Sequence, residues 1–86
     1  MKSFSFSPEA WEDISFWAEN DQKKLKKINS LIDEIRKTPF HGTGKPEPLK
    51  FKLSGYWSRR IDKKERLVYR VDKEKIIIVS CKGHYL

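Results

Sequence analysis

The stretch from Leu49 to Cys81, LKFKLSGYWSRRIDKKERLVYRVDKEKIIIVSC, decides the fold, because apolar and polar side chains alternate along most of its length. An alternation with a period of two is typical of β-strands that bury only one face. Clusters of turn-forming residues interrupt it at 54–55, 62–65 and 72–75. We therefore expect four strands joined by tight turns, at residues 49–53, 56–61, 66–71 and 76–81. The continuous apolar run in the last strand predicts a central position, covered on both sides.

The residues at the start of the chain predict a short strand followed by a helix. Phe4 and Phe6 alternate with serines, as in a half-buried strand. Ser7 is a suitable N-cap, and Pro8 fits the first helical turn. We expect this first helix over residues 8–19.

A second helix follows after a short joint. Asp21 offers its cap, and apolar residues recur three or four positions apart from Leu25 to Ile35. The helix is expected to end at Thr38-Pro39, because the residue before a proline avoids helical dihedrals. Residues 40–48 contain two glycines and two prolines, and we expect them to form a loop.

The predicted element order is strand, helix, helix and four further strands (β-α-α-β-β-β-β). Tight turns make neighbouring strands antiparallel. We therefore expect an α+β fold, in which two N-terminal helices pack on one face of a twisted, mostly antiparallel sheet. A chain of 86 residues is too short for two cores, so residues 1–86 are expected to form a single domain.

The charge is high and unevenly distributed. The net charge is +7, yet residues 1–22 hold one lysine and five acids, so nearly all the basic residues follow this segment. Such asymmetry predicts a positive surface and a polyanion as partner. Cys81 is the only cysteine, which excludes an internal disulfide and fits a reducing cytoplasm. The apolar runs are far shorter than the roughly 20 residues that span a membrane, and we expect no membrane association.

Alternation also predicts which charges share a face. If Leu67 and Tyr69 point to the helices, the residues between and beside them point away from the helices. We call the side of the sheet turned away from the helices the outer face. Five cations are expected on it: Lys50, Lys52, Arg60, Arg66 and Arg70. Such a set suits the phosphodiester backbone of a nucleic acid.

A carboxylate and an imidazole add a possible chemistry to this surface. Glu47 lies between two prolines, which restrict its backbone, and His84 lies just beyond the last predicted strand. Together with arginines they could cleave RNA without a metal or other cofactor. The carboxylate would take the proton of a ribose 2′-OH, the imidazolium would protonate the leaving 5′-oxygen, and arginine would stabilise the phosphorane.

Several strings in the chain are specific enough to indicate a family. They are Lys45–Lys50 (KPEPLK), Leu53–Ile61 (LSGYWSRRI), Arg66–Tyr69 (RLVY) and the terminal His84-Tyr85. With them the whole chain closely resembles the YoeB/Txe toxins of the RelE-like superfamily, which belong to bacterial type II toxin–antitoxin systems. The family pattern ends in His-Tyr, whereas here Leu86 follows.

The resemblance implies a toxin that enters the ribosomal A site and cuts messenger RNA. It implies the following roles: Glu47 as general base, Arg66 as transition-state stabiliser, His84 as general acid, Tyr85 as an auxiliary residue, and Lys50 and Arg60 as phosphate-orienting residues. It also implies a cognate antitoxin of the YefM/Axe type, a possible homodimer, and contact with operator DNA only through the antitoxin complex.

Two other functions remain open from the residues. A non-catalytic RNA- or ribosome-binding module could use the same basic sheet, but an acid such as Glu47 would weaken pure binding. A relative that inhibits DNA gyrase by protein contact would need neither Glu47 nor His84. Among the aromatic residues, Trp57 could stack on a base or pack in the core, and Trp11 and Trp17 could be core or dimer contacts.

Overall fold

The helices and strands follow the predicted order in the computed structural model, which describes residues 3–83. They are β1 (Ser3–Phe6), α1 (Pro8–Asn20), α2 (Gln22–Lys37), β2 (Glu47–Pro48), β3 (Tyr56–Arg60), β4 (Arg66–Asp72) and β5 (Lys75–Ser80), with a 3₁₀ turn at Phe51–Leu53. The predicted α+β class, with a helical pair on one face of a mostly antiparallel sheet, is confirmed.

Both predicted helix caps are present. Ser7 Oγ accepts a hydrogen bond from the Ala10 N–H at 3.0 Å, which satisfies one of the free amides at the beginning of α1. Asp21 Oδ1 accepts from the N–H groups of Lys23 and Lys24, at 3.1 and 3.2 Å, and begins α2. Local sequence therefore fixes both helix starts, and α1 extends only one residue beyond its predicted end.

The five strands form one sheet in the order β1-β5-β4-β3-β2. β1 runs parallel to β5, and the other neighbouring pairs are antiparallel. β5 is an interior strand between β1 and β4, as predicted, and β4 occupies the middle of the sheet. The apolar run of β5 is buried at Ile76 and Ile78 and half-buried at Ile77 and Val79.

The core lies between the helical pair and the sheet. Tyr69 and Leu67 of β4 are fully buried there, as alternation predicted. Trp17 is also buried, and Trp57 of β3 packs against the same core with its ring centroid 4.9 Å from that of Phe40. The core alternative is therefore the correct one for these two tryptophans. Apolar packing of this kind stabilises the domain by about 1.5–3 kcal/mol per large side chain.

The strand predicted at residues 49–53 is wrong. The pairing with β3 lies earlier, at Glu47–Pro48, inside the segment predicted to be loop. Lys50 and Lys52 therefore do not alternate along a strand and do not belong to the outer face. Both are exposed in the connection that follows β2.

The backbone of this connection closes on itself. The Leu53 N–H donates to the Lys50 carbonyl at 3.1 Å, and the Ser54 N–H donates to the Phe51 carbonyl at 3.0 Å. Phe51 has φ +58°, in the left-handed region, so an extended strand cannot continue through it. The alternation of Leu and Lys residues imitates a strand, but the amides here pair within a 3₁₀ turn instead of a ladder.

Candidate functional site

Glu47 lies on the outer face of the sheet. It pairs directly with Ser58 on β3, which pairs with Val68 on β4, which in turn pairs with Ser80 on β5. Directly opposed residues of antiparallel strands point to the same face. Since the neighbours of Val68 in β4, Leu67 and Tyr69, point into the core, this row of side chains points away from the helices.

Arginines lie on both sides of that row. On one side of the row, Arg60 of β3 is directly opposite Arg66 of β4, and on the other side Tyr56 is opposite Arg70. Arg60 and Tyr56 are the diagonal neighbours of Glu47, at the roughly 7–8 Å spacing across which long side chains still meet. The Arg70 guanidinium also lies 6.0 Å from the Tyr56 ring centroid. The predicted grouping of these three arginines on one face is confirmed.

The Arg66 side chain is oriented by the turn that precedes it. Its Nη1 donates to three backbone carbonyls, those of Asp62 at 3.0 Å, Lys63 at 3.2 Å and Glu65 at 3.2 Å. These contacts hold the guanidinium against the turn that precedes β4, while the Arg66 backbone is opposite that of Arg60. A guanidinium has five donors, so one group can keep these bonds and still present others to an anion.

The turn itself is held by a carboxylate. Asp62 Oδ1 accepts from the N–H groups of Lys64 and Glu65, at 2.8 and 2.6 Å, and Oδ2 contacts Lys24 Nζ of α2 at 3.1 Å. The hydrogen bonds, above all that from the Glu65 N–H, lower the pKa of Asp62 below its usual value. The ionised form of Asp62 therefore helps to orient Arg66.

Lys50 and Lys52 lie beside Glu47 in a groove of about 490 Å³ that is lined by residues 47–53. We call it the 47–53 groove. Phe51 lies between the two lysines and is 91% exposed. The two lysines therefore line the same groove as Glu47, although they do not belong to the outer face.

Two strained backbone positions enclose Glu47. Lys45 and Phe51 have φ +51° and +58°, a conformation that costs a residue other than glycine on the order of 1–3 kcal/mol. Such strain persists where the surrounding structure imposes it, and it concentrates at functional sites. The segment that carries Glu47 is therefore held in a conformation that its own residues do not favour.

Arg59 anchors that segment from the opposite side of the sheet. The side chain is fully buried, and its guanidinium donates to the carbonyls of Thr38, His41 and Thr43, at 2.5, 3.0 and 3.2 Å. Nη1 also contacts Glu34 Oε1 at 3.3 Å. We call this set the Arg59 anchor. It fixes the loop from α2 towards β2.

Several groups complete the Arg59 anchor. Tyr69 Oη accepts from Arg59 Nε at 3.2 Å and donates to the Pro39 carbonyl at 2.6 Å. Burial raises the pKa of the Tyr69 hydroxyl, so it remains a donor. Gly44 has φ +86°, and a Cβ there would lie 3.1 Å from Arg59 Cβ, so only glycine fits without strain.

A glutamate ties α2 to the loop. Glu34 Oε1 accepts a hydrogen bond from the Thr43 backbone N–H in addition to its contact with Arg59. These donors, first that of Thr43, lower the pKa of the Glu34 carboxyl. Sequence reasoning missed the role of Arg59. The signal was present in the alternation, which places Arg59 on the inner side with Trp57, where a guanidinium needs several partners.

The end of the described chain is held beside Arg66. The Arg66 N–H donates to the Gly83 carbonyl at 3.1 Å, and the Gly83 N–H donates to Glu65 Oε1 at 2.5 Å. Just before, the Cys81 N–H donates to Asp13 Oδ2 and the Cys81 carbonyl accepts from Trp17 Nε1, both at 2.8 Å. The next residues in sequence, His84 and Tyr85, lie outside the described residues.

Other chemistries have little support in the described part of the chain. Burial raises the pKa of the Cys81 thiol to about 12, so it is protonated and buried, as predicted. Among residues 3–83, no three His, Cys, Asp or Glu side chains are grouped as metal ligands. Within the same range, no helix is long and apolar enough to cross a bilayer.

The structure thus brings together most of the predicted residues that it describes. Glu47, Arg60, Arg66 and Arg70 share the outer face. Lys50 and Lys52 lie beside Glu47 in the 47–53 groove. An α+β fold with a carboxylate and several cations on one region of its surface is an arrangement that suits a polyanionic ligand.

Comparisons with known proteins identify the family of the chain. A family described as "YoeB-like toxin of bacterial type II toxin-antitoxin system" matches residues 6–85. Toxin YoeB of Escherichia coli K12 is 52% identical over 80 residues, which cover 93% of this chain and 95% of the relative. The chain therefore belongs to the YoeB-like toxins of bacterial type II toxin–antitoxin systems.

Solved structures agree with this assignment and with the predicted RelE-like fold. A YoeB/ParE toxin from Agrobacterium tumefaciens has a TM-score of 0.92 and 42% identity, over 99% of this chain and 100% of the other. A YoeB dimer from Staphylococcus aureus has a TM-score of 0.90 and 49% identity, over 98% of each chain. The toxin in a heterotetrameric YoeB–YefM complex from the same organism has a TM-score of 0.89 and 49% identity, over 99% of each chain.

Proposed function

We propose that this toxin is an endoribonuclease that cuts messenger RNA in the A site of the 70S ribosome and thereby inhibits translation. Glu47 acts as the general base, Arg66 stabilises the transition state, and His84 acts as the general acid. Arg60, Arg70, Lys50 and Lys52 bind the RNA backbone. Tyr85 has an auxiliary role.

The chemistry is a transphosphorylation followed by hydrolysis. Glu47 removes the proton of a ribose 2′-OH, and the 2′-oxygen forms a bond to the adjacent phosphorus. The bond from phosphorus to the 5′-oxygen breaks, and His84 gives that oxygen its proton. Arg66 donates hydrogen bonds to the phosphorane oxygens while their negative charge increases. The products are a 2′,3′-cyclic phosphate, which water opens to a 3′-phosphate, and a 5′-hydroxyl.

One observation carries this proposal: Glu47 is in register with Ser58, and arginines lie on both sides of their row on the same face. A phosphodiester drawn to Arg60 and Arg66 would bring its ribose within reach of the carboxylate. The anchored backbone of Glu47 supports a catalytic role, because a base must be held in place to act efficiently. A pure RNA-binding surface would gain from a neutral or basic side chain there.

The described end of the chain is compatible with the role of His84. Gly83, which precedes it, is bonded through its carbonyl to the Arg66 N–H. The backbone therefore leaves the described region beside the proposed transition-state arginine. Histidine is a suitable residue type for this role, because its reference pKa of about 6.5 lies close to neutral pH.

We also propose protein partners and a compartment. YoeB–YefM complexes and a YoeB dimer of a related chain support a YefM-type antitoxin and a homodimer for this chain. Operator DNA would be contacted only through the toxin–antitoxin complex. Trp11 is 55% exposed, so the core alternative does not apply to it and the dimer alternative remains. Since ribosomes and messenger RNA are its proposed targets, we place the protein in the cytoplasm.

Primer extension on a translated message tests the proposal. We expect cuts in the presence of ribosomes and the purified toxin, with a 5′-hydroxyl on the downstream fragment. A second message with a 2′-deoxynucleotide at the cleaved position should resist cutting there, because it lacks the nucleophile. Unchanged cutting of the deoxy message, or ribosome binding without any cutting, would contradict the proposed chemistry, and the latter result would favour the binding module.

A further inference from the structure

Phe51 is an aromatic side chain in an unfavourable place for folding. It is 91% exposed, so its ring buries almost nothing within the described part of the chain. Its backbone has φ +58°, which a bulky residue adopts only under constraint. A turn at this position would form more easily with glycine. Packing and backbone preference therefore both fail to explain why phenylalanine stands here.

The surroundings of the ring point to a ligand. Phe51 is flanked by Lys50 and Lys52, both exposed, and the three residues line the 47–53 groove with Glu47. Single-stranded nucleic acids are bound by this combination, in which cations hold the backbone and aromatic rings stack on the bases. An acidic partner without aromatic groups would match only the two lysines, and a purely apolar partner would match only the Phe51 ring.

We propose that Phe51 is a stacking platform for one unpaired RNA base next to the cleaved phosphate, with Lys50 and Lys52 on the backbone at that base. This subsite rests on the proposed ribonuclease function and adds to it a residue that positions the substrate. Stacking would fix the nucleotide relative to Glu47, so that the 2′-OH reaches the carboxylate. The left-handed backbone of Phe51 is then the conformation that presents the ring to the RNA.

Three substitutions separate stacking from general apolar contact. Phe51→Leu keeps an apolar side chain of similar size but has no π face, Phe51→Ala removes the side chain, and Phe51→Tyr keeps the ring. We expect kcat/KM for ribosome-dependent cleavage to fall about 5- to 150-fold in the Leu and Ala variants, the loss of one base–aromatic stack. The Tyr variant should stay near wild type.

A matched control comes from the opposite edge of the sheet. Phe4 is a half-buried aromatic residue of β1, the edge strand at the other end of the sheet from β2, so Phe4→Leu removes an aromatic ring away from the groove. Its cleavage should remain at the wild-type level. Phe51→Gly should have a Tm at or above that of the wild type, because glycine relieves the left-handed strain, while its cleavage falls as in the Ala variant.

The RNA side of the contact can be removed as well. Messages with an abasic nucleotide on either side of the cleaved phosphate are tested with wild type and Phe51→Ala. At one of the two positions, the abasic site should lower cleavage by wild-type protein by the same factor as Phe51→Ala lowers cleavage of the intact message. Phe51→Ala acting on that abasic message should cleave only slightly more slowly than either single change allows. Such non-additivity is expected only if ring and base touch.

The outcomes distinguish this proposal from the proposed function. If wild type cleaves and Phe51→Leu cleaves equally well, the stacking proposal is overturned while the ribonuclease stands. If the Leu and Ala variants lose antitoxin affinity but keep full cleavage, Phe51 is a protein contact and the proposal is also wrong. If wild type itself does not cleave, the proposed function fails first.

Discussion

Arg59 and Arg60 are adjacent in sequence, identical in chemistry and opposite in environment. Arg59 is fully buried beneath the sheet, where its guanidinium is bonded to three loop carbonyls, Tyr69 and Glu34. Arg60 is exposed on the outer face opposite Arg66. Because a strand directs alternate residues to opposite faces, one position separates a structural arginine from a proposed RNA-binding one.

The difference shows how this small domain presents a carboxylate among cations. The inner side holds the loop that leads to β2, through the Arg59 anchor, so that Glu47 pairs with Ser58. The outer side collects the charges that would bind phosphate. Changes on the inner side should therefore appear mainly in stability, and changes on the outer side in cleavage with stability preserved.

The largest effect should come from the outer face. Glu47→Gln keeps the size of the side chain and removes the proton acceptor, so we expect cleavage to fall about 10²- to 10⁴-fold. The free energy of unfolding should change by less than about 0.5 kcal/mol, because the residue is exposed. Single-turnover cleavage and urea denaturation measure the two quantities.

The matched control for that substitution lies in the helical layer. Glu19→Gln changes an exposed acid of α1 and should leave cleavage unchanged. A loss below tenfold for Glu47→Gln, or an equal loss for both variants, would remove Glu47 from the role of base.

The next effect should come from the inner side. Arg59→Ala removes a fully buried side chain and leaves the carbonyls of the loop from α2 towards β2 without this donor, and we expect a loss of about 3–5 kcal/mol in the free energy of unfolding. Tm should fall by roughly 10 °C or more. Arg60→Ala is the neighbouring control and should alter stability by less than about 0.5 kcal/mol.

The salt dependence of RNA binding also distinguishes Arg59 from Arg60. Arg60→Ala should reduce the slope of log affinity for RNA against log salt by about 0.7, the value for one lost phosphate contact on a single strand. If Arg59→Ala were as stable as Arg60→Ala, the distinction between the two faces would be wrong.

The smallest effect concerns pH and the turn that orients Arg66. The pKa of Asp62 is lower in the folded protein than in the unfolded chain, where it is about 3.9. The ionised carboxylate therefore stabilises the fold above about pH 3.9, and this stabilisation is lost as the pH falls through the pKa of the folded protein. Asp62→Asn keeps an oxygen acceptor but removes the charge and its contact with Lys24. We expect a loss below about 1 kcal/mol at pH 7, since solvent screens this exposed group.

Denaturation of wild type and Asp62→Asn between pH 2 and 7 checks this prediction. The difference in unfolding free energy should shrink towards zero in acid, where the wild-type carboxyl is protonated. A difference that remains constant over the whole range would mean that the charge of Asp62 does not stabilise the turn.

Much of this architecture could be predicted from local sequence. Ser7 and Asp21 cap the helices as expected, and alternation correctly assigned Tyr69 to the core and Arg66 to the outer face. These features depend on neighbours in the chain or on the period of a strand. Short-range rules are sufficient for them.

The wrong predictions depend on tertiary structure. The alternating residues 49–53 have the pattern of a strand, but the left-handed Phe51 and the 3₁₀ turn prevent pairing. The burial of Arg59 depends on carbonyls that a loop collects from a distant part of the chain. Neither the turn nor the collected carbonyls leave a periodic signal, so Lys50 and Lys52 were assigned to the wrong surface.

The most direct measurement is the structure of the toxin on a ribosome with a message whose cleaved nucleotide carries a 2′-O-methyl group. We expect RNA across β3 and β4 on the outer face, with a Glu47 carboxylate oxygen about 2.6–3.2 Å from the 2′-oxygen, the reach of a general base. RNA bound along the helices, or a Glu47 side chain directed away from the ribose, would contradict it.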